Sequence, residues 1–217
     1  MSANLTIEVW SDVACPWCFV GKRQLEAALA EFPQAGSVQV RWRAFELDPG
    51  APAEREGDYA EHLGKKYGVS TVQARAMLER MTRVARDAGL DFHFERIRPG
   101  STFDAHRLLR LARERGVQDA VKERFLRGYF AEGEAIGTAE SLTRLATQAG
   151  LAEDEVASVL ASDAYAREVR EDEARARELG ISGVPFFVIG RHGVSGAQPP
   201  AALRSVLDKA WDEASTE

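Results

Sequence analysis

Along the first fifty residues, apolar and polar positions alternate, then recur every third or fourth place, then alternate again. Leu5, Ile7 and Val9 fall on one side of a period-two pattern, with Thr6, Glu8 and Trp10 on the other, which predicts a strand. Ser11 and Asp12 end it. Leu25, Leu29 and Phe32 then recur at helical spacing, with Pro33 and Gly36 marking the stop. Pro16 suits the first position of that helix, where its missing N–H costs nothing. Val38, Val40, Trp42 and Ala44 alternate with Gln39, Arg41 and Arg43, giving a second strand. The right-handed crossover of such a β-α-β unit makes the two strands parallel.

From Pro49 the pattern turns helical and stays so through a long middle segment. Helices are predicted near 58–67, 70–88, 102–115, 118–131, 138–149, 152–160 and 162–179. Each has an apolar stripe, such as Val72, Met77, Met81, Val84 and Ala88, and core packing accounts for it. Ser70 with Gln73 and Ser101 with Asp104 resemble capping boxes, and Gly68, Gly89, Gly116, Gly150 and Gly180 stand where helices should stop. After Gly180 strand character returns. Phe186-Phe187-Val188-Ile189 is a short buried-type run, Gly190 to Gly193 a hairpin loop, and Val194-Ser195-Gly196 pairs back. Pro199 and Pro200 open a last helix carrying Leu203, Val206, Leu207 and Trp211, and Asp212 to Glu217 reads as a polar tail. The predicted order is β-α-β, a run of helices, then α-β-β-α.

A length of 217 residues fits one elaborated domain or two small ones, and can bury a core without staples. With 28 Lys plus Arg against 34 Asp plus Glu, the net charge is −6, which argues against a nucleic-acid-binding scaffold. No apolar run approaches the roughly 18 residues of a membrane span. Met1 to Asn4 carries no basic stretch leading into an apolar one, so no secretory signal is expected and the cytoplasm is the expected compartment.

The chain has only two cysteines, Cys15 and Cys18, spaced as Cys-Pro-Trp-Cys. Two cysteines cannot be a disulfide framework for a chain this size, and beside a β-α-β pattern this spacing reads as a redox pair. At a helix N-terminus, free N–H groups and the dipole favour an anion. Cys15 is therefore expected to be the exposed nucleophile, its thiolate favoured by a lowered pKa, and Cys18 the more buried resolving thiol. A zinc site would need two closely spaced histidines with the cysteines. The four histidines offer no such pair, and no metal is expected.

Three blocks carry a family resemblance. They are Ser11-Asp12-Val13-Ala14-Cys15-Pro16-Trp17-Cys18 with Gly21-Lys22, Thr102-Phe103-Asp104-Ala105-His106-Arg107-Leu108, and Gly180-Ile181-Ser182-Gly183-Val184-Pro185-Phe186-Phe187-Val188 followed by Ser195-Gly196-Ala197-Gln198. Together with the element order they resemble the FrnE-like DsbA-family oxidoreductases, neighbours of 2-hydroxychromene-2-carboxylate isomerase and kappa-class glutathione transferase. The fold this implies is α/β: a thioredoxin-like domain made of 1–50 and 162–217, interrupted by an all-helical insertion, 51–161.

The resemblance also implies roles. Cys15 and Cys18 would exchange thiols with protein disulfides. Val184–Pro185 would be a cis bond beside the sulfurs, with the Val184 backbone offered to a substrate peptide. Pro16, Trp17, Phe103, His106 and Gln198 would help form the substrate site, His106 also helping to hold Cys15 as thiolate. Thioredoxins keep a buried carboxylate six residues before the first cysteine, where this chain has Val9, so the proton acceptor for Cys18 stays open among Glu8, Asp12 and a water. No cofactor is expected beyond the redox pair, with glutathione a candidate co-substrate. Expected partners are protein or small-molecule disulfides and thiols, with no nucleic acid or membrane, acting on a monomer or homodimer. The main alternative is a glutathione-dependent isomerase or transferase, in which position 15 is typically serine. A chaperone with an apolar groove in the insertion is a third reading.

Overall fold

The structure, a computed structural model, describes residues 5–216; Met1–Asn4 and Glu217, read above as a leaderless start and the end of a polar tail, lie outside the described residues. The elements run β1 (Leu5–Ser11), α1 (Pro16–Ala30), β2 (Val38–Ala44), α2 (Tyr59–Tyr67), α3 (Thr71–Asp87), α4 (Phe103–Glu114), α5 (Gln118–Arg127), α6 (Ala139–Gln148), α7 (Glu153–Leu160), α8 (Ala166–Glu178), β3 (Phe186–Ile189), β4 (His192–Ser195) and α9 (Pro200–Ala214). Contacts divide the chain into two compact units. One takes the residues up to Leu47 and those from Val169 onward, the other Asp48–Glu168.

The first unit is built on a four-stranded sheet ordered β2-β1-β3-β4. β1 and β2 are parallel, from Leu5 opposite Val38 to Ser11 opposite Ala44, as the β-α-β crossover requires. β3 runs antiparallel to β1, with Phe187 opposite Val9 and Phe186 opposite Trp10, and β4 closes a hairpin with β3. On one face Leu5, Ile7, Val9, Phe187 and Ile189 pack against Leu25 and Ala28 of α1 and Leu203 and Leu207 of α9. On the other, Trp10 packs with Ala176 of α8 and Ile181. β1 is a central strand, and Trp10, on the side it shares with half-buried Thr6 and Glu8, is fully buried, with its Nε1 donating to the Asp172 carbonyl at 2.9 Å.

The second unit is helical, and among the described residues no strand lies between β2 and β3. Its core includes an aromatic cluster in which Phe92 stacks on Phe130 at 4.6 Å between ring centres. The Ser70–Gln73 capping box is present at α3. The one expected from Ser101 and Asp104 is not: Thr102 is the N-cap of α4, and Asp104 accepts from Arg107 at 2.8 Å. Arg107 is buried and also donates to the Val159, Ser162 and Ala164 carbonyls, so Asp104 is held one turn forward instead of reaching back to the cap. The helix expected from 162 starts later, at Ala166, because Ser162 turns back to the Ser158 carbonyl and Tyr165 takes a left-handed φ of 63°. The helix expected to reach 131 changes to a π turn over Gly128–Glu132, and the tail expected from Asp212 continues α9 to Ala214.

Asp172 binds the end of β2 from α8. Its carboxylate accepts from the Ala44 N–H and from Arg43, each at 3.0 Å, in a buried position. An unpaired buried donor costs about 1–3 kcal/mol. Asp172→Ala is therefore expected to lower stability by about that amount in urea unfolding, and Asp172→Asn, which keeps an acceptor, by less.

Candidate active site

Cys15 is the N-cap residue of α1 and Pro16 its first helical residue, so the cysteine pair sits on the turn that ends β1 and opens the helix. The turn is fixed by Asp12. Its main-chain carbonyl accepts from the Cys15 N–H at 3.4 Å, and its carboxylate accepts from the N–H of Ala14 at 3.4 Å and of Leu47 at 2.8 Å. The Cys15 carbonyl in turn accepts from the Cys18 N–H at 3.0 Å. Both cysteines are free thiols. The Cys15 Sγ donates to the Val184 carbonyl at 3.5 Å, and Val184–Pro185 is a cis bond. The Pro185 carbonyl accepts from the Gly196 N–H at 2.8 Å, which ties the chain entering β3 to the loop after β4.

Helix α1 approaches this segment very closely. A Cβ placed on Gly21 would lie 2.8 Å from Cγ of Pro185 and 3.3 Å from Cζ of Phe187. The glycine thus sets the distance between the helix that carries the cysteines and the proline that faces them.

Two expectations about Cys15 are corrected. It is not exposed: it retains 4 % of its accessible surface, and Cys18 none. Nor is its pKa lowered. The Cys18 side chain beside it, burial and the nearby Asp12 carboxylate push the Cys15 thiol well above its ordinary value, and the Cys18 backbone N–H only partly offsets them. A helix N-terminus lowers a thiol's pKa where the sulfur is solvated and faces free N–H groups. Here a second sulfur and the protein interior surround it, and loss of one proton from the pair holds the other more tightly.

Of the other residues singled out from sequence, Pro16 is half-buried and Trp17 is 47 % exposed, the largest apolar surface at the turn. Gln198 is exposed, and its amide donates to the Ser195 carbonyl. Phe103 and His106 lie on α4 in the helical unit, Phe103 half-buried and His106 buried. Glu8 is paired with Arg43 across the sheet at 2.8 Å. No local pattern marks buried Glu46, which pairs with Arg170 at 2.6 Å, or the reach of Asp12 to Leu47. Both depend on side chains meeting backbone or charge far away in the chain. Among the described residues no three His, Cys, Asp or Glu side chains are grouped to hold a metal ion.

A model of the DSBA-like thioredoxin domain matches residues 6–208. The chain belongs to that family. A probable DsbA oxidoreductase from Streptomyces coelicolor is similar over 97 % of this chain and 91 % of its own, with 46 % identity and a TM-score of 0.91. The uncharacterized protein YwbO of Bacillus subtilis is 30 % identical over 206 residues, 94 % of each chain. The cytosolic disulfide reductase DsbM of Pseudomonas aeruginosa, solved with GSH, has the same fold at 18 % identity and a TM-score of 0.63, over 98 % of each chain. The β-α-β start, the helical segment and the β-hairpin before α9 are thus the DsbA-like form of the thioredoxin fold.

Gly21 generates a test of the contact between α1 and Pro185. Alanine gains up to about 1 kcal/mol over glycine inside a helix. Forcing a methyl into a packed contact costs about 1–3 kcal/mol, and at 2.8 Å from a ring carbon the steric term should win. Gly21→Ala is expected to lower the urea midpoint; a higher midpoint would mean that α1 can move off Pro185 at little cost.

Proposed function

We propose that this DsbA-family protein is a thiol-disulfide oxidoreductase that acts on protein disulfides through Cys15 and Cys18, in the FrnE-like branch and in the cytoplasm. The observation that carries the reading is the pair of free thiols on the first turn of α1, with the Cys15 Sγ on the Val184 carbonyl beside Pro185. A dithiol there supports disulfide exchange over the glutathione-dependent isomerase reading, which needs only one group to hold the glutathione sulfur.

The working form is the pair with one proton, shared between the two sulfurs. When the proton lies on Cys18, the Cys15 thiolate attacks one sulfur of a substrate disulfide R–S–S–R′. A Cys15–S–S–R bond forms, the substrate bond breaks and R′S⁻ leaves. The leaving thiolate takes the proton from Cys18. The Cys18 thiolate then attacks Cys15 Sγ, the Cys15–Cys18 disulfide forms, and RS⁻ leaves and is protonated by water. The substrate gains two electrons and two protons, one from the pair and one from solvent. Small thiols, glutathione among them, would return the pair to the reduced state, and no other cofactor is required. In this scheme the outgoing thiolate does the work of the carboxylate that position 9 lacks.

Trp17, with its open indole face, and Pro16, Val184, Pro185 and Gln198 are proposed to contact the substrate. Cys15→Ser is expected to abolish reduction of a disulfide substrate such as insulin, by at least about a hundredfold, since no nucleophile remains. Cys18→Ser should instead accumulate a mixed disulfide at Cys15, visible by mass spectrometry and released by dithiothreitol. A mixed disulfide trapped on Cys18 in the Cys15→Ser protein, with none in the Cys18→Ser protein, would reverse the two roles.

A further inference from the structure

Ser11 closes β1, four residues before Cys15, and is fully buried. Its hydroxyl oxygen has no hydrogen-bond partner among the described residues. Leu5, Ile7 and Val9 precede it on the same side of the strand, and all three are apolar. An apolar residue would complete that row without penalty, whereas a buried hydroxyl with no partner lowers stability. Such a group calls for an explanation outside the resting fold.

The packing shows where a partner would arise. The side of β1 that carries Leu5, Ile7 and Val9 lies against α1. On α1 the buried positions Cys18, Gly21, Leu25 and Ala28 recur at helical spacing and form one stripe. A Cβ on Gly21 would lie 3.3 Å from the ring of Phe187, and Phe187 is opposite Val9 in the sheet. α1 runs back along β1 to reach the start of parallel β2. From the level of Val9 and Gly21, two residues forward on β1 lead about 7 Å to Ser11. Three residues back on α1 lead about 4.5 Å in the same direction, to Cys18. Cys18 is therefore the residue of the stripe that faces the end of β1 where Ser11 sits.

In the dithiol, the Cys18 side chain is engaged with Cys15. A mixed disulfide at Cys15 removes that thiol, and Cys18, which has no accessible surface, must then carry a charge until it attacks. A buried anion needs a donor. We propose that the Ser11 hydroxyl is that donor: unpaired in the dithiol, it turns to hydrogen-bond the Cys18 thiolate once Cys15 is joined to the substrate, and so speeds the resolving step. This rests on the dithiol reading above. The turn is one rotation about χ1. Ser11 keeps its own proton throughout. The Cys18 proton leaves on R′S⁻, Cys18 attacks Cys15 Sγ, the Cys15–Cys18 bond forms and RS⁻ departs, so the hydroxyl acts in the second step and not in the first.

The test is a stopped-flow reaction of the reduced full chain with an equimolar amount of Ellman's reagent, a small aromatic disulfide. Attack by Cys15 releases a first coloured thiolate, and attack by Cys18 on the mixed disulfide releases a second. In Ser11→Ala the first release should keep its rate and the second should slow about tenfold, the lower end of what a hydrogen bond to a charged group contributes. The urea midpoint of the reduced protein should not fall, because the hydroxyl removed had no partner. Ser11→Thr and Ser11→Val share one shape and differ in the hydroxyl alone. The threonine variant should release the second thiolate about tenfold faster than the valine variant, however the added methyl groups fit. A second release at the unaltered rate in Ser11→Ala, or equal second releases in the threonine and valine variants, overturns the proposal. So does a second release that slows only in step with the first, which would make Ser11 a part of the turn's architecture. If the unaltered chain releases one thiolate and no second, the dithiol reading itself fails, and the role of Ser11 falls with it.

Discussion

The site depends on the absence of one side chain. Helix α1 can lie against Pro185 and Phe187 only because position 21 carries no Cβ, with the ring of Pro185 occupying the space a methyl would take. That contact fixes the height of the helix above the sheet. Cys18 lies almost one turn closer to the N-terminus and Cys15 at the cap, so both inherit their position from it. β1 supplies the opposite constraint. Its Ile7, Val9 and Trp10 are fully buried, so it cannot shift register without exposing them, and it delivers Ser11 and Asp12 to a fixed point at its C-terminal end. Between a strand that cannot slide and a helix that cannot lift, the Cys15 turn has little freedom. Protein interiors transmit such constraints because they are close-packed.

Electrostatics then acts on a geometry already set. A helix N-terminus favours an anion, but the benefit is at most about 2 kcal/mol in partly buried settings. Burying a charge without a partner costs more, so the thiol keeps its proton. The balance at Cys15 falls on that side, with Cys18 as the strongest influence and Asp12 adding to it. The same helix position can therefore serve an oxidant or a reductant. What differs is the set of groups buried next to it, not the Cys-x-x-Cys spacing.

Local signals made most of the fold legible from sequence. Alternation placed β1 and β2, Pro16 opened α1, and Ser70 with Gln73 capped α3, because each depends on residues a few positions apart. Local spacing misleads at Ser101 and Asp104, where a buried arginine one turn away captures the carboxylate. It misleads again before Ala166, where the chain takes a left-handed turn at a tyrosine instead of a glycine. At the site, the cysteines and Val184–Pro185 were readable as motifs. The ties from Asp12 to Leu47 and from Asp172 to Ala44 were not, since a carboxylate in the sequence does not announce which distant N–H it will meet.

These long-range ties explain why a polar residue can be buried at the end of a hydrophobic strand. Each β-strand that stops at the edge of the core leaves backbone N–H groups beyond its last ladder bond, and burying them unpaired is costly. Asp172 satisfies Ala44 at the end of β2, and Asp12 satisfies Leu47 three residues on, so two carboxylates close the backbone of one segment from opposite sides of the chain. Only one of them also stands in the cysteine turn. A carboxylate held in that position for the backbone also adds, in a minor way, to the hold of the Cys15 thiol on its proton. Closing the backbone of one segment and shaping the cysteine turn are thus carried by the same residue, whose carboxylate satisfies Leu47 while its carbonyl holds the Cys15 N–H.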